Sequence, residues 1–137
     1  MNPISYLPII VASIVSFGIS SLWYSPFLFG KEWLRALKTK EEDIENLRNE
    51  KVFRSYIVQL LFTIVSFAVL AFIVSFVDSR TGSDGAFLGL LFWIGYIVPN
   101  SVSGLLWKKE PFALLMIETV NTLLTLTIGG AIIGAWR

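Results

Sequence analysis

An all-α fold, a bundle of four membrane-crossing helices, is what the 137-residue sequence predicts. Three observations carry it. Hydrophobic residues make up 55% of the chain and mean hydropathy is +0.70, too apolar for a soluble domain of this size. The apolar residues fall into four runs, Ser5–Tyr24, Ser55–Val77, Ala86–Trp107 and Phe112–Trp136. Each is near the ~20 residues that cross about 30 Å of hydrocarbon as a helix. Charge is almost confined to the segments between them, Glu118 being the only charged side chain inside a run. Four spans account for residues 1–137 as one domain.

The first run has no basic stretch ahead of it and ends in Leu22-Trp23-Tyr24-Ser25-Pro26, not in a small-residue cleavage site. It reads as a retained span. Ser25-Pro26 ends the helix, since a residue before proline is pushed out of helical geometry. Phe27 to Gly30 is apolar but too short to span, so it dips back into the interface, with Trp33 as an anchor. Thr39 to Glu42 forms a capping-box pattern. Glu41, Glu42 and Asp43 then sit where a helix dipole favours acids. The cluster lacks the spaced oxygen ligands and glycine of a calcium loop, so it reads as a solvated helix start. With Ile44 and Leu47 it predicts a short amphipathic helix between spans one and two. Asp78 to Gly85 is a polar turn with no assigned chemistry.

Orientation follows from Lys and Arg. Loop 25–54 holds seven of them, Lys31, Arg35, Lys38, Lys40, Arg48, Lys51 and Arg54, and loop 108–111 adds Lys108 and Lys109. The other side has only Arg80 and Arg137. The positive-inside rule therefore predicts a multi-pass protein of the cell membrane, both loops cytoplasmic and both termini outside. Trp23, Tyr24, Tyr56 and Trp107 fall near the inner interface, and Tyr6 and Trp136 near the outer one.

Each span carries polar or small residues at helical spacing, the groups that hold helices together where lipid removes the hydrophobic drive. They are Ser13, Ser16, Ser20 and Tyr24, then Gln59, Thr63 and Ser66, then Tyr96, Asn100 and Ser103, and finally Glu118, Thr122, Thr125 and Gly129, with Asn121 beside Glu118. At about 1.5 Å per residue, Glu118 lies roughly 9 Å beyond Phe112 and Asn100 roughly 10 Å before Trp107. Gln59 and Thr63, and Ser20 and Ser16, fall at similar depths. A polar cluster is expected at that level, centred on Glu118 with Asn100, Asn121 and Gln59 as its neighbours. Pro99 cannot donate to the Gly95 carbonyl, which predicts a kink over Gly95–Pro99. Gly85 and Gly89, Gly130 and Gly134, and Ala131 and Ala135 permit close helix approach, within one chain or between subunits.

Having neither His nor Cys, the chain has no disulfides, no thiolate or His-based catalysis and no metal or haem site of those ligands. No cofactor is expected. No basic stripe suggests nucleic acid. An intramembrane carboxylate marks a polar junction or a coupling site. With no second acid or base in the spans, the foremost reading is a non-enzymatic, self-associating membrane module whose Glu118 is structural. The alternative is a small proton- or ion-coupled transporter or channel using Glu118 as the coupling group, of unknown substrate. A lipid-directed enzyme lacks a nucleophile or acid–base pair.

The run Leu22, Trp23, Tyr24, Ser25, Pro26, then Leu28, Phe29, Gly30, Lys31 and Trp33 resembles the LWYSP-x-LFG-K-x-W signature of a prokaryotic membrane family catalogued as domain of unknown function 1761. The stretch Gly130 to Trp136 is similar to that family's glycine-rich, Trp-terminated tail. The resemblance implies four membrane helices and no established activity. That family often has a His or Tyr near the position of Asn121 or Thr122, and this chain has neither there.

Overall fold

The structure, a computed structural model, describes residues 5–37 and 51–136, and these are all helix and turn. The expected capping box and the amphipathic helix after it lie outside the described residues. Helix α1 is Tyr6–Trp23, α2 is Gly30–Ala36, α3 is Lys51–Phe76, α4 is Gly82–Phe92, α5 is Val98–Trp107 and α6 is Phe112–Ala135. Four segments are long and apolar enough to cross a membrane, by length and composition: Tyr6–Trp23, Phe53–Phe76, Gly82–Trp107 and Phe112–Ala135.

Two described helices extend beyond the apolar runs. Helix α3 is already helical at Lys51, four residues before the run that starts at Ser55. Helix α4 begins at Gly82 rather than Ala86, because the Thr81 hydroxyl accepts the Asp84 N–H at 3.1 Å and caps a polar first turn. The break in the third span takes a specific form. Between α4 and α5, Trp93–Ile97 is one π-helical turn, in which the Val98 N–H reaches the Trp93 carbonyl five residues back. Such a widened turn is one way a helix absorbs a proline that cannot donate four residues back.

Helix α6 packs against every other described helix. Its tightest neighbour is α4, and glycine sets the approach. A Cβ built on Gly85 would fall into the Gly130 carbonyl, and one on Gly89 into the Leu126 carbonyl. The small-residue pairs thus serve packing within one chain. Beside them Ile9, Ala12, Phe67, Leu70, Ala71, Val74 and Ile133 form the buried core, with the Phe67 ring filling the space that Gly129 leaves. This core lies towards the end where α3 turns into α4. The opposite end, where α2 and the α5–α6 turn lie, is open.

Candidate functional site

At the open end, three consecutive residues of α6 each receive an indole N–H. Trp23 donates to the Ile117 carbonyl at 3.0 Å, Trp33 to Glu118 Oε1 at 3.3 Å and Trp93 to the Thr119 carbonyl at 2.7 Å. The three donors come from the end of α1, from α2 and from the π turn, so one turn of α6 ties those elements together. Local folding places each of them. The chain reverses after Trp23, with the Phe29 N–H on the Trp23 carbonyl and the Gly30 N–H on the Ser25 carbonyl, both at 3.0 Å. Only glycine fits at position 30, where a Cβ would sit 2.5 Å from the Tyr24 carbonyl oxygen and 2.7 Å from that of Ser25. The Trp23 ring then rests on Phe29 at 4.4 Å between centroids, and Trp33 on Tyr24 at 5.1 Å.

The other side of Glu118 opens into a cleft of about 350 Å³. Asn100, Ser103 and Gly104 of α5, Lys108 and Glu110 of the following turn, and Glu118 line it. Lys109 makes the turn with a left-handed backbone, φ 53°, a conformation that costs a non-glycine residue about 1 kcal/mol or more. The Glu110 N–H then turns back to the Gly104 carbonyl at 3.5 Å, and the Glu110 carboxylate lies over Gly104. The cleft therefore holds two carboxylates, and neither is in an ion pair among the described residues. Tyr24, just past the last residue of α1, has its phenol pushed up to about 12 by burial and then by the nearby Glu118 charge, and so stays a neutral hydroxyl.

A family model described as protein of unknown function (DUF1761) matches residues 7–134. The chain belongs to the DUF1761 family. No curated protein and no solved structure matches it.

In this DUF1761 protein the signature-like run is a folded corner. Trp23, Tyr24, Ser25, Gly30 and Trp33 turn inward or are half-buried, while Leu22, Pro26, Leu28, Phe29 and Lys31 are exposed. The corner is one wall of the Glu118 site, through Trp33. The other expected cluster members part company. Asn121 is buried and pairs with Ser20 of α1, its Nδ2 donating to Ser20 Oγ at 3.1 Å. Ser16 is buried and reaches the Thr125 carbonyl at 3.5 Å, and Thr122 bonds the Glu118 carbonyl at 2.9 Å. Asn100 lines the cleft and donates to the Tyr96 carbonyl at 2.8 Å. Gly95 lies inside the π turn and Pro99 just after it.

Gln59 requires a correction. It is exposed on α3 and partnered only by Thr63, at 3.5 Å, instead of joining Glu118. Helix α3 is exposed on every side at this end, so a matching position along the chain does not bring Gln59 to Glu118. Helix α3 is buried chiefly through Phe67, Leu70, Ala71 and Val74, and its residues from Phe53 to Gln59 are exposed.

Three contributors in the DUF1761 chain escaped the sequence reading: Trp33 as the direct partner of Glu118, Trp93 as a second anchor and Glu110 as the second acid of the cleft. Trp33 was legible as part of the signature but read as an interface anchor. Glu110 lies outside the apolar runs, and only the small Gly104 six residues before it hinted that its side chain had somewhere to fold.

Proposed function

We propose that this protein is a non-enzymatic, multi-pass protein of the cell membrane that takes up a small cation at Glu118, as the binding half of a transporter or channel. One observation carries the reading: an open cleft of about 350 Å³ reaches Glu118, the one carboxylate inside the four apolar runs. Among the described residues, Trp33 is the only side chain hydrogen-bonded to that carboxylate, which leaves acceptor capacity for a ligand. Glu110 supplies a second carboxylate against the one ammonium of Lys108, Asn100 and Ser103 supply amide and hydroxyl groups, and the exposed Trp107 supplies an aromatic face. The volume is at the lower end for small-molecule sites. An organic ammonium or a hydrated monovalent ion matches this lining. On the Lys and Arg count the cleft faces the cytoplasm, with both termini outside.

The test is reconstitution into lipid vesicles with an imposed pH gradient, following uptake of methylammonium, tetraethylammonium and potassium. Glu118→Gln keeps shape and hydrogen bonding but removes the charge, and is expected to cut uptake roughly tenfold or more, the scale of one lost charge-assisted contact. Equal uptake by wild type and variant, or no uptake of any probe, ends the reading. A purely structural role in an oligomer is the second reading, favoured by the exposed polar stripe of α3.

A further inference from the structure

We infer that two copies of this chain associate through the Gln59–Thr63–Ser66 stripe of α3, with Gln59 meeting its own counterpart. The inference stands apart from the cation reading and rests on a different observation. Every other side-chain amide in the described spans has a destination. Asn121 is buried on Ser20, and Asn100 lines the polar cleft. Gln59 has neither. It is exposed within the Phe53–Phe76 span, five residues past Arg54, and its one side-chain bond, Nε2 to Thr63 Oγ1, is at the 3.5 Å limit. Its amide oxygen and its second N–H have no partner among the described residues. Water satisfies such a group at no cost, but hydrocarbon does not.

Thr63 and Ser66 continue the same face one and two turns further along. Each hydroxyl donates to its own helix, Thr63 to the Gln59 carbonyl at 2.7 Å and Ser66 to the Phe62 carbonyl at 3.0 Å, and each oxygen still accepts. The stripe thus offers donors and acceptors in one line, and a glutamine amide is complementary to itself. Copies inserted the same way up place identical residues at identical depth. A twofold axis along the membrane normal then lays the stripe against itself without further adjustment. No other occupant matches depth and chemistry automatically. Gln59 and Ser66 are exposed along this line and Thr63 is half-buried, beside the α1 contact that Tyr56, three residues before Gln59, makes with Phe17 at 5.7 Å between ring centroids.

The chain has no cysteine, so single-cysteine variants report without background. Thr63→Cys and Ser66→Cys retain Gln59 and test the face. Leu61→Cys and Val65→Cys sit at the same depth on other sides of the helix, by the step of about 100° per residue. Oxidation in native membranes is expected to give disulfide dimers at 63 and 66 and not at 61 and 65. Equal cross-linking at all four positions, or none at 63 and 66, overturns the inference. In parallel, association of donor- and acceptor-labelled protein in vesicles is measured by energy transfer while protein is diluted with lipid. Gln59→Leu is expected to weaken it on the order of three- to tenfold, the range for interhelical hydrogen bonds in lipid, with helix content unchanged. Unaltered association of Gln59→Leu also overturns it.

Discussion

The Trp33 indole donates to the Glu118 carboxylate at 3.3 Å, joining residues 85 apart in the chain. Two kinds of interaction converge there. The ring of Trp33 rests on Tyr24, while its N–H fixes one carboxylate oxygen. Trp33→Phe separates them, keeping an aromatic ring but losing the donor. It is expected to cost about 1 kcal/mol, modest because the bond is long and half-buried. Measured by denaturant unfolding in detergent, the loss should shrink towards zero in a Glu118→Leu background, where no acceptor remains, and persist in part in Glu118→Gln, whose amide oxygen still accepts. Trp33→Leu should cost more, since it also removes the ring.

Gly104 gives a way to move Glu110 without neutralising it. A Cβ at this position would lie 2.8 Å from Glu110 Oε2, so Gly104→Ala must push the carboxylate aside. The expected result is weaker uptake of the cationic probes with helix content intact. Combined with Glu110→Gln, the two changes should be less than additive, because both act on the same group. Full additivity would place the Gly104 effect elsewhere.

The four spans were legible because hydropathy over ~20 residues is a strong signal. Pro99 removes one specific donor, and a π turn over Trp93–Ile97 lies just before it. What the linear pattern leaves open is which stretch of a helix stays packed. Ser20 and Gln59 fall at the same depth and both carry small polar groups, yet Ser20 meets Asn121 while Gln59 faces outward. Helix α3 packs where Phe67 fills the space at Gly129, eight residues beyond Gln59, while Phe53 to Gln59 are exposed. The site divides in the same way. Glu118 announces itself by charge, whereas Trp33 and Glu110 join it only through two reversals, at Gly30 and at Lys109.

The α4–α6 contact predicts a sharp difference between glycines. Gly130→Ala would drive a methyl into the Gly85 backbone, and neither helix can yield locally because both atoms are main chain. The helices must separate, which overpacking data put at about 1–3 kcal/mol. At Gly18, in the interior of α1, an added Cβ meets nothing within 4 Å. Gly18→Ala is therefore expected to be neutral or to stabilise by up to about 1 kcal/mol through helix propensity. Unfolding of both variants in one detergent checks the contrast.

The Asn121–Ser20 pair is the polar tie between α1 and α6 that is best suited to a double-mutant cycle. Nδ2 of Asn121 donates to Ser20 Oγ at 3.1 Å, the returning contact is 3.4 Å, and Asn121 is buried. Ser20→Ala strands part of a buried amide and is expected to cost about 1–2 kcal/mol. Asn121→Leu removes the amide outright but enlarges a tight contact with α1. If the pair acts as a unit, Ser20→Ala should cost little once Asn121 is Leu, with a coupling of about 0.6–1.7 kcal/mol. A coupling near zero would leave Trp23 on the Ile117 carbonyl as the shorter of the remaining polar ties between α1 and α6, beside Ser16 on the Thr125 carbonyl. Trp23→Phe would then carry the larger loss.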